Sequence, residues 1–271
     1  MKNKNSQHYL SVIVPVFQQE KTIVKNLIQI KNVVGSIRYP YEIIVVIDGI
    51  TDKSLKKIKQ ANIPQLKTLG YMKNQGKSHA IRLGMKKAKG DYVMFIDSGM
   101  EIDPNGISML LEHMEWYKAD IIVGSKRHPA SFVDYSLLRK ILSIGYYFFV
   151  KLLFGIKVRD TQAGIKIFRK KVLEAILPKL MEKKFAGDLE MLVVARSLGF
   201  TRIYEAPIKL NYHFGSITSA ATLSSIYGIF VDTLAIFYRK NILRHYEKPQ
   251  VVRHSGKSRR GGTRPESLLF L

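Results

Sequence analysis

The chain has 271 residues, 46% of them hydrophobic and 24% charged, with no cysteine. Those figures suit one large domain with appendages. They exclude a wholly disordered chain, a collagen, a disulfide scaffold, a thiolate metal site and a cysteine nucleophile. Lys and Arg outnumber Asp and Glu 44 to 21, a formal charge of +23, which points to a polyanionic neighbour: nucleic acid, an anionic membrane face or a phosphorylated substrate.

The N-terminus is basic, but its apolar run covers only Tyr9 to Phe17 and contains Pro15, so no secretory signal is expected. From Tyr9 to about Ile122, strand-like and helix-like runs alternate. The strands read LSVIVPV, YEIIVVI, QLKTLGY, DYVMFID and ADIIVG. The helices between them are expected over about Glu20–Val33, Ser54–Gln60, Lys77–Lys89 and Asn105–Tyr117. Short continuous runs of Val, Ile, Phe and Tyr suit strands covered on both faces. Strand–helix alternation predicts a mostly parallel α/β sheet with flanking helices. Ligands in such sheets bind beyond the carboxyl ends of the strands. That draws attention to Pro15–Gln19, Asp48–Asp52, Asp97–Glu101 and Gly124–Arg127.

After Arg127 the alternation breaks. A loop with Pro129 leads into a greasy stretch, Ile141–Val150, followed by Lys151 and Leu152–Ile156. Then come RDTQAGIKIFRKKV, a helix over about Gly187–Leu198 and the strand TRIYEAPIKL. A second greasy stretch, Ile217–Val231, runs on past Asp232 to Tyr238. Neither reaches the roughly 18 uninterrupted residues of a spanning helix. Both carry aromatics (Tyr146, Tyr147, Phe148, Phe149; Tyr227, Phe230, Phe237, Tyr238) and basic flanks (Arg139, Lys140, Lys151; Arg239, Lys240, Arg244). The pattern favours helices lying in a headgroup layer; burial in the core and a true span are the other two readings. The chain ends soon after, so a series of spans is not expected. From Lys248 onward, six Lys/Arg face one Glu with no periodicity, which reads as a disordered basic tail or a remnant of cloning. The rest still carries +18.

Four constellations carry potential chemistry. Asp97 ends a buried strand in DYVMFID, and SGMEIDP follows, so Asp97 and Glu101 together suit Mg²⁺ or Mn²⁺. The plainer reading is a turn-capping Asp. Asp48 in VVIDGITD suits a base or ribose contact, or else an Asp-Gly turn. Gly76 and Lys77 of NQGKSHAIRLG open a helix and suit an anion, although neither GxxxxGK[ST] nor GxGxxG is present. Asp188 and Glu190 in GDLEML stand at a helix start, where an Asp ordinarily caps. His79, His113, His128 and His213 show no ligand spacing, and HExxH and GxSxG are absent. No helix-turn-helix, zinc finger or aromatic RNP motif appears, so nucleic acid is not expected as a partner.

The order of SVIVPVFQQEKTI, EIIVVIDGITD, NQGKSHAIRLGMKKAKGDYVMFIDSGMEIDP, VGSKR, DTQAGIKIFRKKV and FAGDLEML…GFTRIYEAPI is more specific than any one of them. From about Leu10 to Thr218 the chain resembles glycosyltransferase family 2, most closely its branch of polyprenyl-phosphate (dolichyl-phosphate) mannose or glucose synthases. The resemblance implies a GT-A fold binding a nucleoside-diphosphate sugar. Pro15, Phe17 and Gln19 would line the nucleobase loop, and Asp48 would touch base or ribose. Gly76, Lys77, Asp97 and Ser98 would complete the donor side, with Asp97 and Glu101 on a divalent cation. Lys126, Arg127 and Arg139 would hold phosphates, Asp160 and Gln162 would lie at the acceptor, and Asp188 matches the general base of members with hydroxyl acceptors. The departures are Gly99 at the second acid of DxD, Ile47-Asp48 for an acidic pair, Gln19 for a glutamate and Ser78 for a glycine.

The expectation is therefore an inverting transfer of a hexose, GDP- or UDP-linked, to a polyprenyl phosphate. The enzyme would be peripheral or monotopic at the cytoplasmic face of a membrane, bound to its anionic surface and able to form a homo-oligomer. A saccharide or protein hydroxyl acceptor with Asp188 as base, or a nucleotide-binding pseudo-enzyme, are the alternatives. The expected organisation is a GT-A domain over 1–215, with an interfacial helix at about 136–156. An amphipathic helical segment over 216–246 and a basic tail over 247–271 follow.

Overall fold

The computed structural model describes residues 8–131, 137–183, 186–211, 223–247 and 269–270. Strands β1 (Leu10–Val16), β2 (Tyr41–Asp48), β3 (Leu66–Tyr71) and β4 (Tyr92–Ile96) are joined by helices α1 (Ile23–Gly35), α2 (Ser54–Ala61) and α3 (Lys77–Lys87). They are followed by α4 (Gly106–Trp116), β5 (Ile121–Ser125), α5 (Leu137–Phe154), β6 (Ile165–Arg169) and α6 (Lys170–Ile176). A 3₁₀ turn (Leu177–Lys179), α7 (Gly187–Ser197), β7 (Ile203–Pro207), α8 (Leu223–Asn241) and a two-residue strand β8 (Leu269–Phe270) complete the order. Each expected strand and helix of the first half is present to within a few residues.

The strands form one mixed sheet in the order β7-β5-β6-β4-β1-β2-β3-β8. β1 through β4 run parallel, as the alternation requires. β6 is the element that hydropathy did not assign. It runs antiparallel between β4 and β5, pairing Phe95 with Lys166 and Val123 with Lys166. Its reversed direction puts the DTQAG segment, which precedes it, beside the carboxyl end of β4, where the amide of Asp97 donates to the carbonyl of Gly164 at 2.9 Å.

Alternation along each strand feeds two cores, one per face. Ile43, Val45 and Ile47 of β2 and Tyr92, Met94 and Ile96 of β4 pack with Ile23, Leu27 and Ile30 of α1 and Leu110 of α4. Ile44, Val46, Val93 and Phe95 face the other way, with Ala80 and Ile81 of α3 and Leu189 and Leu192 of α7. Asp48 and Asp97 continue the parity of this second set. Side-chain alternation therefore aims both carboxylates at the layer that holds α3 and α7.

The first greasy stretch lies in α5 and the second, from Leu223 on, in α8, its residues 217–222 lying outside the described residues; no helix among the described residues is long and apolar enough to cross a membrane. They pack on each other through Phe149 and Phe230, stacked at 4.3 Å between centroids. Val150 and Phe154 of α5 and Ile236 of α8 join the core. Ile141, Phe148 and Leu152 of α5 and Tyr227, Leu234 and Tyr238 of α8 stay exposed, Leu152 at 83%. Both helices thus have one side in the core and one side of bare apolar surface. The tail reading needs one correction: Leu269 and Phe270 extend the edge of β3, pairing with Gly70 and Leu69. The rest of 248–271 lies outside the described residues, as does His213.

Candidate functional site

The carboxyl edge of the sheet carries a compact charge cluster. Lys77, first residue of α3, places its Nζ 2.8 Å and 2.9 Å from the two carboxylate oxygens of Asp97. The same nitrogen is 3.6 Å from Asp188. Lys166 of β6 is fully buried; its Nζ lies 3.2 Å from Asp188 and donates to the carbonyl of Ala163 at 2.7 Å. Both ammonium groups stand over the ring of Phe95, at 5.8 Å and 5.1 Å from its centroid, within cation–π range. Two cations and two anions thus interleave above one aromatic floor.

The two lysines respond in opposite directions. Burial pulls the Lys77 ammonium down, but Asp97 and Asp188 more than offset this and hold it above its ordinary range. Burial dominates at Lys166, where Asp188 compensates only in part and Lys77 repels, so its pKa falls below that of an ordinary lysine. Asp188 does not cap its helix. The N-cap is Ala186, and Asp188 instead turns its carboxylate into the cluster, Oδ1 toward Lys166 and Oδ2 toward Lys77.

Asp48 is spent on architecture. Its buried carboxylate accepts from the Tyr71 hydroxyl (2.7 Å), Asn74 Nδ2 (3.0 Å) and the amides of Gln75 (2.8 Å) and Gly76 (3.1 Å). It thereby shapes the loop that presents Lys77. Gly76 enters α3 with φ of 100°, a conformation that glycine adopts without steric cost.

On the first loop, Pro15 is buried in β1 and Phe17 is exposed. The Gln19 amide is anchored on Ser54 Oγ at 3.0 Å, and its side-chain Oε1 is buried without a partner. A Cβ added at Gly99 would meet only Gln19 Nε2, at 3.9 Å. Gly99 therefore leaves open space where the family pattern has an acid. Ser98 is buried, its carbonyl accepting from Asn26. Glu101 is half-buried and pairs its backbone carbonyl with the Asn211 amide.

The acceptor-side residues gather separately. The Lys126 amide donates to Asp160 at 3.1 Å. Arg127 donates to the carbonyls of Ser143 and Arg159 and stacks on Tyr147 at 5.1 Å. Gln162 donates to the Tyr146 hydroxyl at 3.3 Å. Arg139 falls in α5, but its side chain lies outside the described residues. A cavity of about 680 Å³ near Arg82, Lys86, Lys170 and Glu174 shares none of these residues.

Sequence reasoning did not single out Lys166. A lysine inside IKIFR reads as the polar break in a strand, and only the pairing of β6 beside β4 shows that it faces Phe95 and Asp188. Gly164 was passed over for a similar reason. A Cβ there would collide with the Asp97 carboxylate, a contact invisible before the fold is known.

The glycosyl transferase family 2 model matches residues 11–177. A dolichyl-phosphate beta-glucosyltransferase of Dictyostelium discoideum is 28% identical over 212 residues, which is 73% of this chain and 65% of that protein. One of Drosophila melanogaster is 29% identical over 205 residues, 70% of this chain and 63% of that protein. The chain therefore spans just under two-thirds of the length of these relatives. Glucosyl-3-phosphoglycerate synthase from Mycobacterium tuberculosis, crystallised with Mn²⁺, UDP-glucose and phosphoglyceric acid, superposes with a TM-score of 0.64 at 15% identity. That likeness of fold covers 90% of this chain and 82% of the other. Because the family model covers more than half of its length, the chain belongs to glycosyl transferase family 2.

Proposed function

We propose that the protein transfers a hexose, with inversion, from a nucleoside-diphosphate sugar to a polyprenyl phosphate at the cytoplasmic face of a membrane. The observation that carries this reading is an adjacency. Gln162 of the acceptor loop bonds to Tyr146 of α5, whose hydroxyl meets Thr233 of α8 at 3.0 Å. The loop beside Asp97 is thus tied to the two helices whose outer faces are bare apolar surface. A lipid-borne acceptor and a peripheral seat on an anionic bilayer suit that arrangement, and so does the +23 charge.

The residues fit a divalent cation shared with a diphosphate better than one caged by protein. Both carboxylate oxygens of Asp97 face the Lys77 ammonium, at 2.8 Å and 2.9 Å, and the side of Gly99 is open, so an ion would share Asp97 with that lysine. No three acidic or histidine side chains converge among the described residues. Asp97 would hold the ion, with Glu101 as the second oxygen donor. When bound, the ion would neutralise charge building on the departing diphosphate.

In the transfer, an oxygen of the acceptor phosphate attacks C1 of the sugar opposite the leaving group. The C1–O bond to the diphosphate breaks, and the electron pair leaves with the nucleoside diphosphate. A phosphate monoester has its second pKa near about 6, so the nucleophile is already anionic at neutral pH. What the chain supplies is orientation and screening of two phosphates that repel each other. Lys77 provides positive charge at the donor. Lys126, Arg127 and Arg139 provide it at the acceptor, and Asp48 fixes the loop behind Lys77.

A hydroxyl acceptor is the second reading. It is favoured by the buried carboxylate of Asp188, which caps no helix and turns into the same cluster as Asp97, where a general base would stand. Release of UDP or GDP on mixing the protein with donor, Mg²⁺ or Mn²⁺ and polyprenyl phosphate in vesicles tests the proposal. Dependence on the lipid phosphate supports it, and silence with every donor points to a pseudo-enzyme.

A further inference from the structure

Glu190, the second acid of GDLE, plays no part in the chemistry above, yet it is fully buried. Its carboxylate accepts from the amides of Met181 (2.9 Å) and Glu182 (2.9 Å) and from the hydroxyl of Tyr246 at 2.8 Å. Tyr246, also buried, lies just beyond α8. Arg239 in the last turn of α8 pairs with Glu182 and stands 3.8 Å from Glu190. Burial raises the pKa of Glu190 above the usual carboxylate range and that of Tyr246 above the usual phenol range. A buried pair of this kind is expensive unless it is fully bonded, and here every bond runs to the 181–182 segment or to the chain around α8.

The segment so held has a second task. α3 has no side-chain cap. The amides of Ser78 and His79, in its first turn, instead donate to the carbonyl of Lys183, at 3.0 Å and 3.3 Å. Segment 181–183 is therefore the cap of α3, and α3 begins with Lys77. One continuous path runs from α8 through Tyr246 and Arg239 to Glu190 and Glu182, on to the Lys183 carbonyl, and ends at the lysine on Asp97.

We propose that Tyr246 and Glu190 form a clasp through which the seating of α8 sets the position of Lys77, so that both are positioning residues. The link to activity rests on the transfer reading above; the link to Lys77 rests on the hydrogen bonds alone. The helix on the outer end of this path exposes Tyr227, Phe230, Leu234 and Tyr238. Whatever covers that face thereby bears on the donor site.

The test is amide hydrogen exchange on the full chain, wild type against Tyr246→Phe and Glu190→Gln, with turnover measured in parallel. The clasp predicts that exchange at residues 77–80 quickens about tenfold in Tyr246→Phe while β1 and β2 keep their protection. It also predicts that kcat falls about tenfold with the acceptor KM unchanged. Unchanged exchange at 77–80 overturns the clasp. So does an equal rise in β1 and β2, which would make the tyrosine a general stabiliser. If Glu190→Gln does not fold, Tyr246→Phe, which deletes one oxygen, still decides. If wild type transfers no sugar from any donor, the transfer reading fails, and the exchange data alone decide the clasp.

Discussion

Lys77 straddles Asp97, with its ammonium nitrogen 2.8 Å and 2.9 Å from the two carboxylate oxygens. In the proposed transfer the pair holds charge where a diphosphate would arrive, and without Asp97 the Lys77 ammonium would keep Asp188, at 3.6 Å, as its anionic neighbour. Asp97→Asn is expected to lower kcat by about 10²–10³, the scale of losing one electrostatic stabiliser of the transition state. Nucleotide release with donor, divalent cation and polyprenyl phosphate measures it. Full-speed transfer by the variant would remove Asp97 from the mechanism.

Gly164→Ala tests the geometry behind that pair without touching a charge. The new Cβ would press on the Asp97 carboxylate. Overpacking of this kind costs about 1–3 kcal/mol in stability. The expected outcome is a larger loss in turnover than in thermal stability, read by comparing kcat with the melting temperature. An enzyme that melts early yet turns over normally would show that the carboxylate has room to move.

Asp188→Asn separates the two acceptor classes. A lipid phosphate needs no deprotonation, so its transfer is expected to tolerate the variant better, with a loss no larger than the weakened pairing of Lys77 and Lys166 brings. With a hydroxyl acceptor, loss of the base costs about 10²–10⁴. Side-by-side assays with polyprenyl phosphate and with sugar acceptors distinguish them.

Lys166 makes the pH dependence of stability unusual. Burial depresses its pKa below the ordinary 10.5, so the folded chain releases this proton before the unfolded chain does. Between the depressed value and 10.5 the unfolded state binds more protons, and this group's contribution to stability rises with pH. Below that window the cost of the buried ammonium is fully present. Lys166→Met should abolish this alkaline rise. At neutral pH it should destabilise by about 3–5 kcal/mol, because Asp188 loses a buried partner. Urea unfolding at pH 7 and across the alkaline range measures both effects.

The exposed faces of α5 and α8 predict lipid binding without a stability cost. Phe148→Ser with Leu152→Ser, both on exposed positions, should leave the melting temperature nearly unchanged. Each should weaken binding to phosphatidylglycerol vesicles, on the scale of about 1.5–3 kcal/mol for a large apolar side chain fully withdrawn from water. Cosedimentation reads it, and undiminished binding would place the membrane contact elsewhere.

The parallel half of the fold was legible because its signals are local. β4 is an unbroken apolar run, β1, β2 and β5 are nearly so, and strand ends mark where ligands sit. That rule singled out Asp97, and the start of α3 singled out Lys77 as a residue for an anion. Asp48 stayed open between a ligand contact and a turn, and only the return of Tyr71, Asn74 and Gly76 to it shows both its oxygens occupied within the chain. β6 was missed because Lys166 interrupts its pattern, and the interruption is the residue that pairs with Asp188. Glu190 and Tyr246 lie 56 residues apart and meet through a hydrogen bond that no spacing announces.

β6 enters the sheet against the direction of both its neighbours, and it is only five residues long. Its side chains alternate, Ile165 and Ile167 toward one core and Lys166 toward Phe95. A codon gained or lost between Asp160 and Ile165 would slip this parity and set an isoleucine against Asp188 in place of the ammonium. Natural length variation should therefore be forbidden in the few residues ahead of this strand.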